Sequence, residues 1–374
     1  MPESTPARRA TLRVATFNLA ASYPTPVGLP QALAAPSAAL QRAVAILQQV
    51  RPDVVLLNEF DHDGVDASAL TAFQGMLSTP ASAGQLPLDY PYHMLVPSNT
   101  GRLSPVDLDG DGVCRLPGDG LGFGSFPGQY AMVVLSRYPL LTAQQRSFRR
   151  LRWAQMPGAL LPHDPVSGAP FYSSAALDVL PLSSKNHLDL PVQVPTSRGP
   201  LTLHLLCSHP TPPVFDGPER RNRCRNHDEI RLWTDYLEQA GWLVDDAGQT
   251  GGLAADARFV LLGDLNADAD AGDGDRRAIR HLLQHPRVHA GVARGAQRPR
   301  SRGALVACRH PRATHLRGLR LDYVLPDAGW RVVNSGVFWP AAGEPGRAWI
   351  ADARGRERAD WCSDHRLVWV DLLL

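Results

Sequence analysis

The sequence predicts an α/β fold, because short apolar strands alternate with amphipathic helices along the chain. Residues 12–18 alternate apolar and polar side chains as a strand does, and residues 37–50 repeat apolar side chains at the spacing of a helix. Residues 54–57 are a continuous apolar run, which predicts a second, buried strand. With 44% hydrophobic residues in 374, the chain is able to form a large core without disulfides.

The same alternation continues to the end of the chain. Long segments rich in Pro and Gly predict irregular insertions near 97–128 and 156–198. No linker or internal repeat is evident, so we expect a flexible tail at 1–11 and a single domain at 12–374. Further strands are predicted at 130–136, 201–207, 259–262, 321–325 and 367–372, and a further helix at 228–239.

Composition excludes several classes of protein. The net charge is +2, and only Lys185 among 38 basic residues is a lysine, so the arginine count is weak evidence for a nucleic-acid partner. The five cysteines are scattered without a C-x-x-C pair, which argues against a disulfide framework and a zinc site. No apolar run reaches transmembrane length, and no signal-peptide core is present. We therefore expect a cytoplasmic protein, or a secreted or periplasmic one if this chain is a mature form.

Polar residues repeatedly follow the apolar strands, at the points where the strands end. Catalytic residues of α/β proteins gather on such loops, where the scaffold holds them rigidly. Carboxylates and amides without a cysteine ligand favour Mg²⁺, Mn²⁺ or Ca²⁺. Two histidines add phosphate contacts and proton transfer, so the set is suited to hydrolysis of a phosphate ester. The residues are Asn18, Glu59, His209, Asp264, Asn266, Asp322, Asp364 and His365.

Six motifs in a fixed order carry a family resemblance. They read ATFNLA, LLNEF, LLCSHP, LLGDLNAD, LRLDYVLP and CSDHRLVWVDL, and the resemblance extends from about residue 12 to residue 374. The chain resembles the endonuclease/exonuclease/phosphatase superfamily, which includes pancreatic-type deoxyribonucleases, abasic-site endonucleases, sphingomyelinases and inositol-polyphosphate 5-phosphatases. The resemblance implies a four-layer α/β/β/α sandwich, in which outer helices cover two packed, mostly antiparallel sheets. It also implies a hydrolase that cleaves phosphate esters with Mg²⁺ or Mn²⁺.

The resemblance also assigns roles on the metal side of the site. Glu59 matches the glutamate that binds the metal, and Asn18 matches the asparagine that supports metal and phosphate. Asp364 would be a further carboxylate on the metal side. The residue before Glu59 is Asn58, where the superfamily more often has Gln.

For catalysis, the resemblance points to residues of the later motifs. Asp264 matches the aspartate that orients or deprotonates the attacking water, and Asn266 matches an asparagine on the phosphate. Asp322 and His365 match an aspartate–histidine pair, in which the histidine contacts the scissile phosphate. His209 matches a second histidine, a candidate acid for the leaving oxygen.

Substrate contacts are expected from segments shared with a bacterial branch of the superfamily, to which the chain is most similar. The segments GQYAMVVLSRYP, SHPTPPVFDGP and RNRCRNHDEIR carry that similarity, and they point to Tyr130, Arg225 and Asn226. The single lysine, Lys185, is a candidate contact for the substrate phosphate, because lysine binds phosphate as a point charge. The alternative is that Lys185 lies in an ordinary exposed loop.

Two charged segments lie outside the motifs. Asp107, Asp109 and Asp111 are spaced like the first half of a calcium loop, although Gly118 stands where an EF-hand has Glu. They predict a structural Ca²⁺ or, alternatively, a series of Asp/Gly-rich turns. Residues 281–321 contain nine Arg and no Asp or Glu, which suits a polyanion at the rim of the site unless arginine bias alone explains it.

Three functions remain open on the sequence. A phosphodiesterase acting on nucleic acid is the leading one, with a lipid head group as the second substrate. A phosphomonoesterase acting on a small phosphorylated metabolite or lipid head group would use the same metal, water and histidines. A catalytically inactive binding module is disfavoured, because Glu59, Asp264, Asn266, Asp322 and His365 are all present.

Overall fold

The computed structural model describes residues 11–306 and 310–374, and its strands form two sheets. All seven strand segments that the sequence predicts are present, with ends that shift by a few residues. The strands are β1 Thr11–Ala21, β2 Val54–Phe60, β3 Tyr92–Val96, β4 Met132–Ser136, β5 Arg146–Ser147, β6 His187–Thr196, β7 Gly199–Ser208, β8 Arg258–Asp264, β9 Asp322–Pro326, β10 Val332–Val337 and β11 Val368–Leu373.

The two sheets pack face to face. The first has the order β10-β11-β1-β2-β4-β3, and the second has the order β5-β6-β7-β8-β9. Only the β1–β2 and β7–β8 pairs are parallel among the described strands. Strands β1, β2 and β11 of the first sheet contact β8 and β9 of the second, so the centres of both sheets are buried against each other.

Helices cover the outer faces, which confirms the four-layer α/β sandwich expected from the resemblance. On one side α2 contacts β1 and the neighbouring α3, and on the other α5 packs through its buried Trp233 and Tyr236 onto side chains of β6 and β7. The helices are α1 Gly28–Ala34, α2 Ala38–Val50, α3 Ser68–Leu77, α4 Ser174–Leu177, α5 Arg221–Leu237, α6 Arg276–Gln284, α7 Ala290–Ala293, α8 Arg302–Val306 and α9 Arg347–Ile350.

Helix α5 begins seven residues before the start that apolar spacing predicts. Its first turn is stabilised from outside the helix, because the carboxylate of Asp216 accepts the backbone N–H groups of Asn222 at 2.6 Å and Arg223 at 3.0 Å. Such contacts satisfy donors that a helix start leaves free. The apolar pattern does not include this polar turn, so it places the start too late.

The insertion expected at 156–198 is wrong for its second half, since β6 occupies His187–Thr196. Prolines argue against a central strand because they lack the N–H group. Among the described strands, only the two-residue β5 pairs with β6 on the side away from β7, and the carbonyl of Pro191 accepts the N–H of Leu141 at 2.8 Å. The other segment, 97–128, has no helix or strand in the described structure.

Two further expectations concern the chain ends and the membrane. The tail expected at 1–11 lies outside the described residues, except for Thr11, which opens β1. In the described part of the chain, every helix is too short or too polar to span a bilayer.

Candidate active site

The strand ends predicted to carry the chemistry converge at one edge of the two packed sheets. Asn18 in β1 joins the sheets, because its amide Nδ2 donates to Glu59 Oε1 at 3.0 Å and to Asp264 Oδ2 at 3.1 Å. Glu59 belongs to the same sheet as Asn18, whereas Asp264 ends β8 in the opposite sheet. The Asn18 oxygen accepts the backbone N–H of Ala20, so Asn18 positions two carboxylates rather than aiming an oxygen between them.

Asp264 lies at the centre of the cluster. Its Oδ1 accepts the backbone N–H of Asn266 at 2.9 Å, while its Oδ2 lies 3.5 Å from His209 Nε2 and 3.6 Å from His365 Nε2. Burial raises the pKa of Asp264 to about 7, although the charge of His365 opposes this shift. A carboxylate with that pKa is suited to exchange a proton near neutral pH.

The predicted Asp322–His365 pair is present. Asp322 opens β9 directly opposite Asp264 in the β8–β9 ladder, and its Oδ2 lies 2.9 Å from His365 Nδ1. Burial lowers the pKa of His365, but the negative charges of Asp322 and Asp264 and the hydrogen bond outweigh it and raise the pKa to about 10. His365 is therefore a fixed cation facing the Asp264 carboxylate.

His209 has the opposite electrostatic environment. It follows β7 and is almost fully buried, and its Nδ1 has no hydrogen-bond partner among the described residues. Burial lowers its pKa well below the usual value, and the positive charges of Lys185 and His365 lower it further. The two histidines thus differ in charge at neutral pH although they face the same carboxylate oxygen.

The donor atoms fit a hard divalent cation. Glu59, His209 and Asp264 offer one ligand atom each within 4.8 Å of one another. Carboxylate oxygens dominate, and no cysteine belongs to the clusters found in the described chain, which matches the ligands of Mg²⁺ or Mn²⁺. Glu59 is held at φ +56°, a costly conformation for a residue with a side chain, which aims its carboxylate at this cluster.

Asp364 belongs to a neighbouring group rather than to the Glu59 cluster. Its Oδ2 lies 3.2 Å from His315 Nε2, and the His315 and His365 rings are 4.7 Å apart. Burial tends to raise the pKa of Asp364, but the contacts with His315 and His365 lower it to about 2. Sequence reasoning missed His315, because no motif includes it and it reaches Asp364 only through the fold.

Lys185 lies beside the site, so the alternative of an exposed loop residue is wrong. Its side chain is buried, and the negative charges of Glu229, Glu59 and Asp264 act on it. Burial nevertheless dominates and lowers the pKa of the ammonium group. Lys185 is held in place by its neighbour Ser184, whose N–H and hydroxyl both donate to Glu229.

Tyr130 lies close enough to Glu59 for the glutamate charge to act on its phenol. It has φ +61°, and its N–H donates to Asp61 Oδ1 at 2.8 Å. Burial, followed by the charges of Glu59 and Asp61, raises the pKa of the phenol. Burial also raises the pKa of Asp61 to about 6. Sequence reasoning did not single out Asp61, although it stands two residues after Glu59.

The structure places Arg225 and Asn226 in structural contacts instead of at the cluster. The Arg225 guanidinium donates to the carbonyls of Leu182, Pro181 and Leu121 at 2.7–3.0 Å. The Asn226 amide donates to the carbonyls of Thr211 and Leu265. Because these donors already close loops around the site, we do not include the two residues in the substrate contacts proposed below.

The loop that begins at Asp107 contains a cluster of three carboxylates, but one of the three differs from the expected set. Asp111 pairs with Arg115 at 2.8 Å, and Asp119 takes its place beside Asp107 and Asp109. Asp107 and Asp119 both accept backbone N–H groups, as in a series of turns. The structural Ca²⁺ remains a prediction.

The arginine-rich segment 281–321 does not form a uniform basic rim. Residues 307–309 lie outside the described part of the chain. Within it, Arg287 donates to the carbonyls of Leu237, Leu253 and Ala254, and Arg320 donates to that of Ala293. These two guanidinium groups hold backbone segments together, so they are not available to a polyanion.

The fold and the clustered side chains agree with the class of phosphoester-cleaving enzymes that the sequence motifs indicated. The Endonuclease/Exonuclease/phosphatase family model matches residues 15–365, and the chain belongs to this family. Members of the family are divalent-metal-dependent hydrolases that act on phosphoester bonds. Among curated proteins, none matches the sequence significantly.

A solved structure supports the fold, and others are more distantly similar. The chain is similar to the endonuclease/exonuclease/phosphatase from Beutenbergia cavernae DSM 12333, with 18% identity and a TM-score of 0.50, covering 98% of this chain and 72% of that one. An endonuclease/exonuclease/phosphatase family protein from Leptotrichia buccalis C-1013-b has 12% identity and a TM-score of 0.48, with 97% and 100% covered. Sphingomyelinase C from Streptomyces griseocarneus has 16% identity and a TM-score of 0.44, with 97% and 99% covered.

Proposed function

We propose that the protein is a divalent-metal-dependent phosphodiesterase with nucleic acid as its leading substrate class. One observation carries the proposal: Asn18 joins the carboxylates of Glu59 and Asp264 across the two sheets, within reach of His209 and His365. Bringing these groups together does not by itself stabilise the fold, because buried carboxylates are costly unless a cation or hydrogen-bond donors compensate them.

Mg²⁺ or Mn²⁺ would be held chiefly by Glu59, with the neighbouring cluster atoms completing its surroundings. When bound, the metal would stabilise negative charge on the phosphate oxygens as a Lewis acid. Asp364, paired with His315, would contribute negative charge on the other side of His365. Asn18 would hold Glu59 and Asp264 in the geometry that the metal and the water require.

The chain's own groups would divide the remaining work. Asp264 would orient the attacking water and accept its proton, which its raised pKa favours. Asn266 and the cationic His365 would contact the phosphate, where negative charge develops in the transition state. His209 would protonate the leaving oxygen, because the negative charge of a bound phosphate raises the pKa of a nearby histidine.

Charge favours a diester over a monoester. A diester carries one negative charge, whereas a monoester is largely a dianion at neutral pH. With one divalent cation bound, the positive charges of the metal, Lys185 and His365 are matched by the carboxylates Glu59, Asp264, Asp322 and Asp364, so a second substrate charge would add repulsion. Lys185 and Tyr130 would both contact the substrate near Glu59.

An activity panel tests the proposal. We expect hydrolysis of DNA, RNA or bis-aryl phosphate with Mg²⁺ or Mn²⁺, and little hydrolysis of aryl phosphate. Hydrolysis of the monoester alone would favour the phosphomonoesterase, and hydrolysis of sphingomyelin alone would favour a lipid head group. A protein that binds but cleaves none of them under any of Mg²⁺, Mn²⁺ or Ca²⁺ would contradict the enzymatic proposal.

A further inference from the structure

An exposed phenylalanine lies beside Tyr130 at the edge of the candidate active site. Phe123 is 65% exposed, and its ring centroid lies 6.4 Å from that of Tyr130 with the two planes 34° apart. Neither ring is part of the buried core of the described chain. Single exposed apolar side chains are ordinary, but Phe123 is set apart because its ring lies beside a second, partly exposed aromatic ring next to the site.

The backbone on both sides of Phe123 is tightly packed. A Cβ atom on Gly122 would lie 1.8 Å from the carbonyl oxygen of Ser184, and one on Gly124 would lie 2.8 Å from the backbone nitrogen of Gly101. No residue but glycine fits at these two contacts without a shift of the backbone. The ring is therefore presented to solvent by a fixed turn.

The Tyr130 side of the pair is fixed as well. Gln129 donates from Nε2 to the carbonyl of Tyr23 at 2.7 Å and accepts the N–H of Ser125 at 2.8 Å. Asp61 accepts the N–H of Tyr130. A pre-arranged aromatic pair loses little conformational entropy when a ligand binds to it.

The pair lies next to the groups proposed to bind phosphate. Gly122 presses against Ser184, the residue before Lys185, and Asp61 stands two residues after Glu59. The two rings, Phe123 exposed and Tyr130 partly buried, therefore border the side of the site that carries Lys185 and Glu59. A ligand whose phosphate reaches this cluster would bring its neighbouring group over Phe123 and Tyr130.

We propose that Phe123 and Tyr130 form an aromatic subsite that stacks against a nucleobase adjacent to the phosphodiester being cleaved; this rests on the proposed function. Every nucleobase presents a π face, so such stacking is tolerant of sequence. Bases in a duplex already stack on their neighbours. The subsite therefore selects single-stranded nucleic acid or unpaired nucleotides within a duplex.

The test compares two single-stranded phosphodiester polymers of equal length, one with bases and one built only from abasic residues, both carrying a terminal fluorophore. The measured quantity is the ratio of kcat/KM for the two polymers. We expect Phe123→Ala to lower this preference about tenfold, and Phe123→Trp to retain it, because tryptophan supplies a ring for stacking. An unchanged ratio in Phe123→Ala, or an equal loss in Phe123→Trp, would overturn the subsite.

Tyr92→Ala is the matched control. Tyr92 is also an exposed aromatic residue, 40% accessible, but it lies at the other end of its strand from the site. It pairs with Ser136 at one end of the β3–β4 ladder, whereas Val96 pairs with Met132 at the end that adjoins Asn58. We expect it to leave the ratio unchanged. Wild-type cleavage of the abasic polymer with no preference for bases would overturn the subsite and leave the phosphodiesterase standing. Failure of the wild type to cleave either polymer would overturn both.

Discussion

At the scale of single residues, the two histidines differ more than their positions suggest. Both face Asp264 Oδ2 at similar distances, yet only His365 has an aspartate on its other nitrogen. Asp322 keeps His365 charged, whereas burial beside Lys185 keeps His209 neutral until a negative ligand arrives. This difference predicts separate tasks in the proposed reaction.

The first prediction concerns the leaving group. His365→Ala removes a cation that acts mainly in the transition state, so we expect a fall of about a hundredfold or more in kcat on alkyl and nitrophenyl diesters alike. His209→Ala removes the proposed acid, and nitrophenolate leaves without a proton. We therefore expect His209→Ala to lose much more on the alkyl ester. Equal losses for both variants on both substrates would mean that the histidines act as one phosphate-binding unit.

The second prediction concerns stability against pH in metal-free protein. The folded protein raises the pKa of His365 from the ordinary 6.5 to about 10, so it holds this proton more tightly than the unfolded chain does. The resulting stabilisation is complete below about pH 6.5 and is lost as pH rises through about 10. In thermal melts between these values, Tm should fall less in Asp322→Asn than in the wild type. Parallel curves would contradict the assigned source of the His365 shift.

A contact between two side chains can be predicted from the sequence only when both residues belong to recognisable motifs. The Asp322–His365 pair was predictable because both residues belong to recognisable motifs. His315 and Asp61 were not, because their contacts with Asp364 and Tyr130 arise from the approach of distant segments. From the sequence alone, a charged side chain such as Arg225 is a candidate ligand contact. The structure shows that it instead donates to backbone carbonyls.

At the scale of elements, apolar strands are the part of the fold that the sequence predicts best. Strands β2 and β8 are buried along almost their whole length, and each contains a continuous apolar run, at residues 54–57 and 259–262. Among the strands that were not predicted, which are β3, β5, β6 and β10, β6 contains two prolines and β10 ends the first sheet as a half-exposed edge. Which residues of β6 and β10 are buried depends on the strands that pair with them, and the local sequence does not show those partners.

The third prediction concerns Gly263, which precedes Asp264 in β8. It has φ +146°, and a Cβ there would lie 1.9 Å from the carbonyl oxygen of Ser208. Gly263→Ala should therefore push β7 and β8 apart beside Asp264, lowering Tm and the rate of hydrolysis together. In helix α3, Gly75 has open space around it, so Gly75→Ala should leave activity unchanged and raise Tm slightly. A Gly263→Ala variant with normal Tm would contradict the close approach.

At the scale of the whole molecule, the packing of two sheets is what assembles the site. Each sheet contributes only part of the cluster. In the first sheet, Glu59 lies in β2 and His365 precedes β11; in the second, His209 follows β7, Asp264 ends β8 and Asp322 opens β9. Asn18 closes the gap between them with two hydrogen bonds. The order of motifs along the chain predicts which residues meet, but distances and protonation states follow from the packing.

The central claim is metal-dependent hydrolysis of a phosphodiester at the cluster containing Glu59. The most direct test measures the rate on bis(4-nitrophenyl) phosphate as Mg²⁺ is added back after EDTA, for the wild type, Glu59→Gln and the exposed Glu238→Gln as control. We predict no activity in EDTA, recovery with Mg²⁺, and at least about tenfold more Mg²⁺ needed by Glu59→Gln than by the other two proteins. Full activity in EDTA, or the same Mg²⁺ dependence in all three proteins, would contradict the account.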